Sequence, residues 1–272
     1  MNNDMFKVGD IVTRSSHRND ILFKIIQIKD DKCLLHGVDV RLIADAQLSD
    51  LVISNQIKNC RNNSSDDLSK KLDKSNYFYM PGKILHIDAD KDYLQKCLDF
   101  YKENNILAYG KNIKEKNIQA EIKELLNEYN PDILVLTGHD SYKGNNVYIN
   151  SKYYINSVKE SRKYEKNLKD LIIIAGACQS DYIGLMKSGA NFASSPNKIN
   201  IHVLDPAIIA ANIALSERDK EIDLATLLSK TKYGKEGIGG LKCEGLMKIG
   251  YPRIGDNNEY KWCKKKNSKI SK

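Results

Sequence analysis

Between residues 83 and 230, short apolar runs alternate with segments of helical period, and this alternation constrains the fold more than any other feature of the 272-residue chain. "KILHID" (83–88), "ILAY" (106–109), "DILVLTG" (132–138), "LIIIAGA" (171–177) and "INIHVLD" (199–205) read as strands. After the first of them, Leu94, Cys97, Leu98 and Tyr101 fall on one face of a helix over 91–104. After the second, Ile118, Ile122, Leu125, Leu126 and Tyr129 share a helix face that Pro131 closes. Helices are also predicted over 151–168, 206–216 and 221–230. Strands alternating with helices imply an α/β fold: βαβ units building a mostly parallel sheet with helices on both faces.

The segment before this region has a different pattern. "FKVGDIVTR", "DILFKIIQIKDD" and "KCLLHGVDVRLIAD" are short strand-like runs with turn residues at Gly9-Asp10, Asn19-Asp20 and Asp30-Asp31. They predict a small five-stranded, SH3-like β-barrel over 1–52. The polar stretch 53–80 reads as a linker, 81–255 as the α/β domain and 256–272 as a basic tail. No apolar run approaches the roughly 18 to 20 residues of a membrane helix, and "MNNDMFKVGD" lacks an apolar signal core. The expectation is a cytoplasmic protein with no membrane insertion. Cysteines 33, 60, 97, 178, 243 and 263 are scattered with no C-x-x-C, which argues against structural zinc and against a disulfide framework. Six lysines in "KWCKKKNSKISK" (261–272) supply most of the net charge of +8, so the rest of the chain is nearly neutral. The overall charge is thus poor evidence for nucleic-acid binding, although a basic tail can hold an acidic partner.

Two strand ends carry chemistry. His139 follows "DILVLTG" and Cys178 ends "LIIIAGAC". In an open parallel sheet, residues just beyond the carboxyl ends of strands line the ligand crevice. Neighbouring strands lie about 4.8 Å apart, so topology brings the two side chains within reach. A thiol needs help to ionise near neutrality, and an adjacent imidazole can take its proton. A helix starting in "QSDYIGLMKSG" would add a dipole favouring thiolate. The Cys178 amide, with one near Gly138, could hold a developing oxyanion. Taken singly, each residue has an ordinary explanation, a small buried hydrophobe and a solvated loop histidine; the matched pair of strand ends is what points to catalysis. No metal or other cofactor is required. Asp140 either orients His139 or faces water. The glycines of "GKEGIGG" (Gly237, Gly239, Gly240) lack the strand and Lys-Ser/Thr of a phosphate loop and read as a structural or substrate-flanking loop.

Two other readings stay open. "GACQS" also has the form of a nucleophile elbow of an amidotransferase-type cysteine hydrolase, whose partner would follow in the chain as His202. A non-enzymatic alternative is a nucleic-acid or scaffold binding module using the barrel and tail; few aromatics at alternating positions weaken base stacking.

An apolar block ending in histidine, followed one strand later by a block ending in Ala-Cys, resembles the caspase, legumain and separase superfamily of cysteine peptidases. The departure is His139-Asp140-Ser141 where many members have His-Gly. A closer match covers nearly the whole chain. "KVGDIVTR", "RLIADAQLSDL", "PGKILHIDADKDYL", "PDILVLTGHD", "AGACQS", "GANFASSP" and "GIGG", in this order, resemble the YabG family of sporulation-specific peptidases. The resemblance implies a caspase-like sheet and endoproteolysis of spore coat and morphogenetic proteins after basic residues, in the sporulating cell or associated with the coat. A pocket for basic residues needs an acid. By similarity to arginine-specific relatives, Asp88 and Asp90 are the candidates, with Asp181 a third.

Overall fold

The computed structural model describes residues 6–54 and 77–250. Most of the predicted linker, the whole basic tail, Cys60 and Cys263 lie outside the described residues. The first strands are β1 (Ile11–Arg14), β2 (Phe23–Lys29), β3 (Lys32–Gly37), β4 (Ile43–Gln47) and β5 (Leu51–Ile53). They form one antiparallel sheet in the order β4-β3-β2-β1-β5. Alternate residues of these strands, Val12, Phe23, Ile25, Cys33 and Leu35, turn to one face and build a small core with Leu51. Asp30 takes a left-handed φ of 52° in the tight turn between β2 and β3, a conformation that aspartate tolerates better than most residues.

The next strand, β6 (Phe78–Met80), falls inside the predicted linker and pairs with β13 (Lys248–Gly250). Between them lie β7 (Ile84–Asp88), α1 (Lys91–Glu103), β8 (Ala108–Asn112), α2 (Glu115–Tyr129), β9 (Ile133–Thr137) and α3 (Ser151–Tyr164). β10 (Ile172–Ala175), α4 (Tyr182–Lys187), β11 (Phe192–Ser194), α5 (Asp205–Leu215), α6 (Leu224–Ser229) and β12 (Ile238–Gly240) follow. The six-stranded sheet runs β12-β11-β10-β9-β7-β8, parallel except for β12 at the edge. Every residue of β7, β9 and β10 is buried, as a sheet covered on both faces demands. Ile84, Val135, Ile172 and Ile174 face α1, α5 and α6. Leu85, Ile87, Leu134, Leu136 and Ile173 face α2, α3 and α4. Each such side chain contributes roughly 1.5–3 kcal/mol of burial.

The fifth parallel strand is not where the alternation of "INIHVLD" predicts it. The sheet takes Phe192–Ser194 instead, and 199–204 is irregular apart from a single antiparallel bridge between His202 and Val40. Two features explain the difference. Asp205 and Pro206 start α5, so the run is cut short. Its backbone partners come from the N-terminal sheet: Arg41 N–H donates to the Ile201 carbonyl at 3.4 Å, and Val203 N–H to that of Asp39 at 3.0 Å. "GIGG", expected to be a loop, supplies β12. Among the described residues, no helix is long and apolar enough to cross a membrane.

Candidate active site

In chain order the parallel strands are arranged second-first-third-fourth-fifth, so the connections leave β7 in opposite directions, and the place where such sheets form a ligand crevice lies beyond the carboxyl ends of β7 and β9. The register there is informative. Ile87 pairs with Leu136, and Leu136 with Ala175. Asp90, His139 and Cys178 each lie three residues beyond that aligned row, on three adjacent strands. The two residues that the sequence singles out therefore leave neighbouring strands at one level, and an acid leaves the third strand beside them.

Asp90 is the N-cap of α1, with Oδ1 accepting from the amides of Asp92 at 2.9 Å and Tyr93 at 3.0 Å. Its other oxygen, Oδ2, faces two imidazoles: His139 Nε2 at 3.0 Å and His36 Nε2 at 2.6 Å. Burial alone would raise the Asp90 carboxyl. The hydrogen bonds from His139 and His36 overcome that and hold it below the usual carboxylate range. An ionised carboxylate only accepts, so Nε2 is the donor here, and the neutral form of the His139 ring has its lone pair on Nδ1. Nδ1 is buried and has no hydrogen-bond partner among the described residues. The sequence reading offers Asp90 as a substrate-pocket acid; the geometry puts it on the histidine.

The loop that carries His139 is tightly held. Its backbone N–H donates to Glu115 Oε1 at 3.0 Å, so that amide is already occupied. At Gly138, φ is +153°, and a Cβ would come within 2.7 Å of the Tyr154 hydroxyl and 2.8 Å of Ala89 Cβ. Asp140 is buried and neither orients His139 nor faces water. It accepts from the amides of Ser141 and Asn150, each at 2.8 Å, and from the hydroxyls of Ser151 and Ser180. Ser180 Oγ in turn accepts from Ala177 N–H at 2.9 Å, which ties the histidine loop to the cysteine loop.

Cys178 is 1% exposed and packs with Val40 and Ile201. Its sulfur accepts from the Ile201 amide at 3.4 Å. Burial pushes the thiol up to about 12. The expected helix-dipole assistance is not present: Gln179 takes a left-handed φ of 55°, and α4 starts only at Tyr182 and is six residues long. Asp181, one of the predicted pocket acids, caps that helix through Gly184 N–H at 2.9 Å. His202 is 2% exposed, its Nδ1 accepts from Leu204 N–H at 3.2 Å, and burial lowers it to about 4.

Asp88, at the end of β7, is fully buried against Arg41 from the loop between β3 and β4. Arg41 Nη1 donates to Asp88 Oδ2, while Nε and Nη2 reach the Val203 carbonyl at 3.2 and 2.8 Å. The guanidinium carbon sits 5.3 Å from the centre of the Tyr93 ring. Thr137 Oγ1 also donates to Asp88 Oδ2, at 2.7 Å. Burial would raise this carboxyl, but the Arg41 charge holds it well below the usual range. His36, Arg41 and Tyr93 escape sequence reasoning because their partners are remote: Arg41 meets Asp88 across 47 residues and Val203 across 162. His36, Asp90 and His139 place one donor atom each within 4.8 Å of one another, which among the described residues makes them a group able to hold a metal ion.

A family model described as YabG peptidase U57 matches residues 7–73 and 55–252. The chain belongs to this family. The sporulation-specific protease YabG of Bacillus subtilis (strain 168) is 38% identical over 284 residues, covering 91% of this chain and 98% of that protein. Among solved structures, a Francisella response regulator receiver domain is 24% identical with a TM-score of 0.33, over 49% of this chain and 96% of that one. The YabG family match spans both sheets and contains Asp88, Asp90, His139 and Cys178.

Proposed function

We propose that this chain is a cysteine endopeptidase of sporulation, cleaving spore coat and morphogenetic proteins after basic residues, with Cys178 as nucleophile and His139 as general base. The observation that carries the reading is the placing of His139: Nε2 meets Asp90, and Nδ1, without a hydrogen-bond partner among the described residues, is left for the thiol proton, on the loop after the strand that neighbours the one leading to Cys178. Membership of a peptidase family and the name of the Bacillus subtilis relative support the protease and sporulation parts.

The chemistry follows from these positions. His139 Nδ1 takes the thiol proton, and the sulfur attacks the substrate carbonyl carbon. Imidazolium then returns the proton to the departing amine, leaving a thioester at Cys178. His139 next draws a proton from water, the resulting hydroxide attacks the thioester, and the carboxylic acid leaves as the thiolate is reprotonated. Asp90 holds the ring in this tautomer and stabilises the imidazolium, as the carboxylate of a Ser-His-Asp site does. The Cys178 amide and one near Gly138 hold the oxyanion. Asp88 reads the basic side chain, because it is the buried acid already shaped around a guanidinium.

The test is to incubate wild type and Cys178→Ala with a protein rich in lysine and arginine and map the cuts by mass spectrometry. Cuts after basic residues with wild type, and none with the variant, are expected; equal cleavage refutes the nucleophile. Comparing His139→Ala with His202→Ala separates the elbow-type hydrolase: activity surviving the first change and lost with the second would reassign the base.

A further inference from the structure

The loop Val38–Leu42 belongs to the N-terminal sheet by sequence, yet its contacts lie in the crevice. Asp39–Arg41 runs antiparallel to Ile201–Val203 through two backbone hydrogen bonds and the Val40–His202 bridge, the arrangement by which an extended peptide adds to an exposed backbone edge. The Tyr93 hydroxyl lies 2.7 Å from the Val40 carbonyl and 2.8 Å from that of Gly37. Val40 packs in one buried cluster with Cys178 and Ile201. Ile201 receives the Arg41 amide through its carbonyl and donates its own N–H to the Cys178 sulfur. One residue's backbone thus touches both the Arg41 strand and the thiol.

The Arg41 side chain is 1% exposed and meets an acid, a backbone carbonyl and an aromatic face. A buried ion pair is weak evidence for stability, since apolar residues of similar size usually serve a core as well. A bidentate fork on a carboxylate and a carbonyl is instead how a site recognises arginine. Beyond Arg41 the backbone folds back: Leu42 N–H donates to the Val40 carbonyl, and Gly37 N–H to the Leu42 carbonyl, both at 2.8 Å. The bond after Arg41 therefore sits in a tight turn anchored in the N-terminal sheet, and not in the extended form a peptide presents for attack.

We propose that the groove bounded by Ile201–Val203, Asp88 and Tyr93 is a binding site for an arginine-bearing peptide strand, and that Val38–Leu42 of this same chain fill it, so that the protein is self-occluded until the loop leaves. This rests on the reading of Cys178 and His139 as the reacting pair. Raised by burial, the thiol is in its unreactive form while the loop is in place, which fits an occluded state.

The experiment uses the full chain. Alkylation of Cys178 by iodoacetamide, followed by peptide mass spectrometry, is compared among wild type, Arg41→Ala and Val40→Asp, alongside cleavage of an arginyl peptide. Both variants should speed alkylation at least tenfold and raise cleavage, and the peptide acetyl-GVDVRL-amide added in trans should inhibit them again while its arginine-to-alanine version does not. Equal alkylation in all three proteins overturns the proposal. Where Arg41→Ala does not fold, hydrogen exchange of wild type decides: labelling Cys178 with an arginyl acyloxymethyl ketone should deprotect the amides of 38–42, and unchanged protection overturns the proposal. Faster alkylation with no cleavage by any of the proteins keeps the occlusion and refutes the peptidase reading. Unchanged alkylation with Cys178-dependent cleavage does the reverse.

Discussion

Replacing Asp90 by asparagine alters one atom of the site and separates two roles for this residue. Oδ1 still caps α1 through Asp92 and Tyr93, so helix and fold are retained, with a change of about 1 kcal/mol from the weaker hydrogen bonds. Oδ2, which accepts from His139 and His36, is replaced by an NH₂ group. A donor now faces His139 Nε2, so the ring must present a lone pair there and carry its proton on Nδ1, the nitrogen the reaction needs free. The same carboxylate-to-amide change costs a Ser-His-Asp site about 10⁴ in kcat. A loss of about 10³ to 10⁴ is expected here, which is about 4 to 5.5 kcal/mol at 1.36 kcal/mol per tenfold. The assay is steady-state cleavage of an arginyl peptide, with thermal melting as the control for folding. A kcat within threefold of wild type would refute the tautomer reasoning. A change confined to KM and to the preference for basic residues would return Asp90 to the substrate pocket.

Two further perturbations follow from the buried charges. Asp88→Asn leaves the Arg41 guanidinium buried without its counter-charge, so unfolding in denaturant should show a loss of about 3 to 5 kcal/mol, and the ratio of arginyl to neutral peptide cleavage should fall; an unchanged ratio would show that Asp88 does not read the substrate. His202 and Asp205 give opposed pH dependences. Burial lowers His202 to about 4, so its share of the stability is present above about pH 6.5 and is lost as pH falls toward 4. Burial raises Asp205 to about 6, so its folded carboxyl holds a proton that the unfolded chain releases, and its share is lost as pH rises from about 4 to 6. Asp205→Asn should therefore lose stability more steeply than wild type when melting is followed from pH 6 down to 4, and parallel curves would contradict the assignment.

The parts legible in the sequence are those set by local pattern. β7, β9 and β10 are continuous apolar runs because both faces of the sheet are covered, and α1 and α2 show their buried faces at helical spacing. His139 and Cys178 were visible because each follows such a run. β11 was missed because three residues, Phe192–Ser194, carry no period, whereas "INIHVLD" alternates like a strand and becomes the edge on which Val40 lies. The N-terminal unit was legible as five short antiparallel strands from its turn residues. What escaped was everything joining that unit to the crevice. Nothing local in "GVDVRL" marks Arg41 as the partner of Asp88, nor "LLHG" His36 as a ligand of Asp90, because these contacts exist only after the two sheets meet. The surroundings of the acids are illegible for the same reason: the resemblance offers three carboxylates for one pocket, and in the fold Asp88 meets a guanidinium, Asp90 an imidazole pair and Asp181 a helix N-terminus.

Active-site labelling addresses the pairing of Cys178 with His139 most directly. The full chain is treated with an arginyl acyloxymethyl ketone until peptide cleavage stops, and the modified residue is found by mass spectrometry. One adduct, on the Cys178 sulfur, forming at a rate that falls at least a hundredfold in His139→Ala, is the predicted result. Complete inhibition with Cys178 unmodified, or labelling of Cys178 at the same rate without His139, would contradict it.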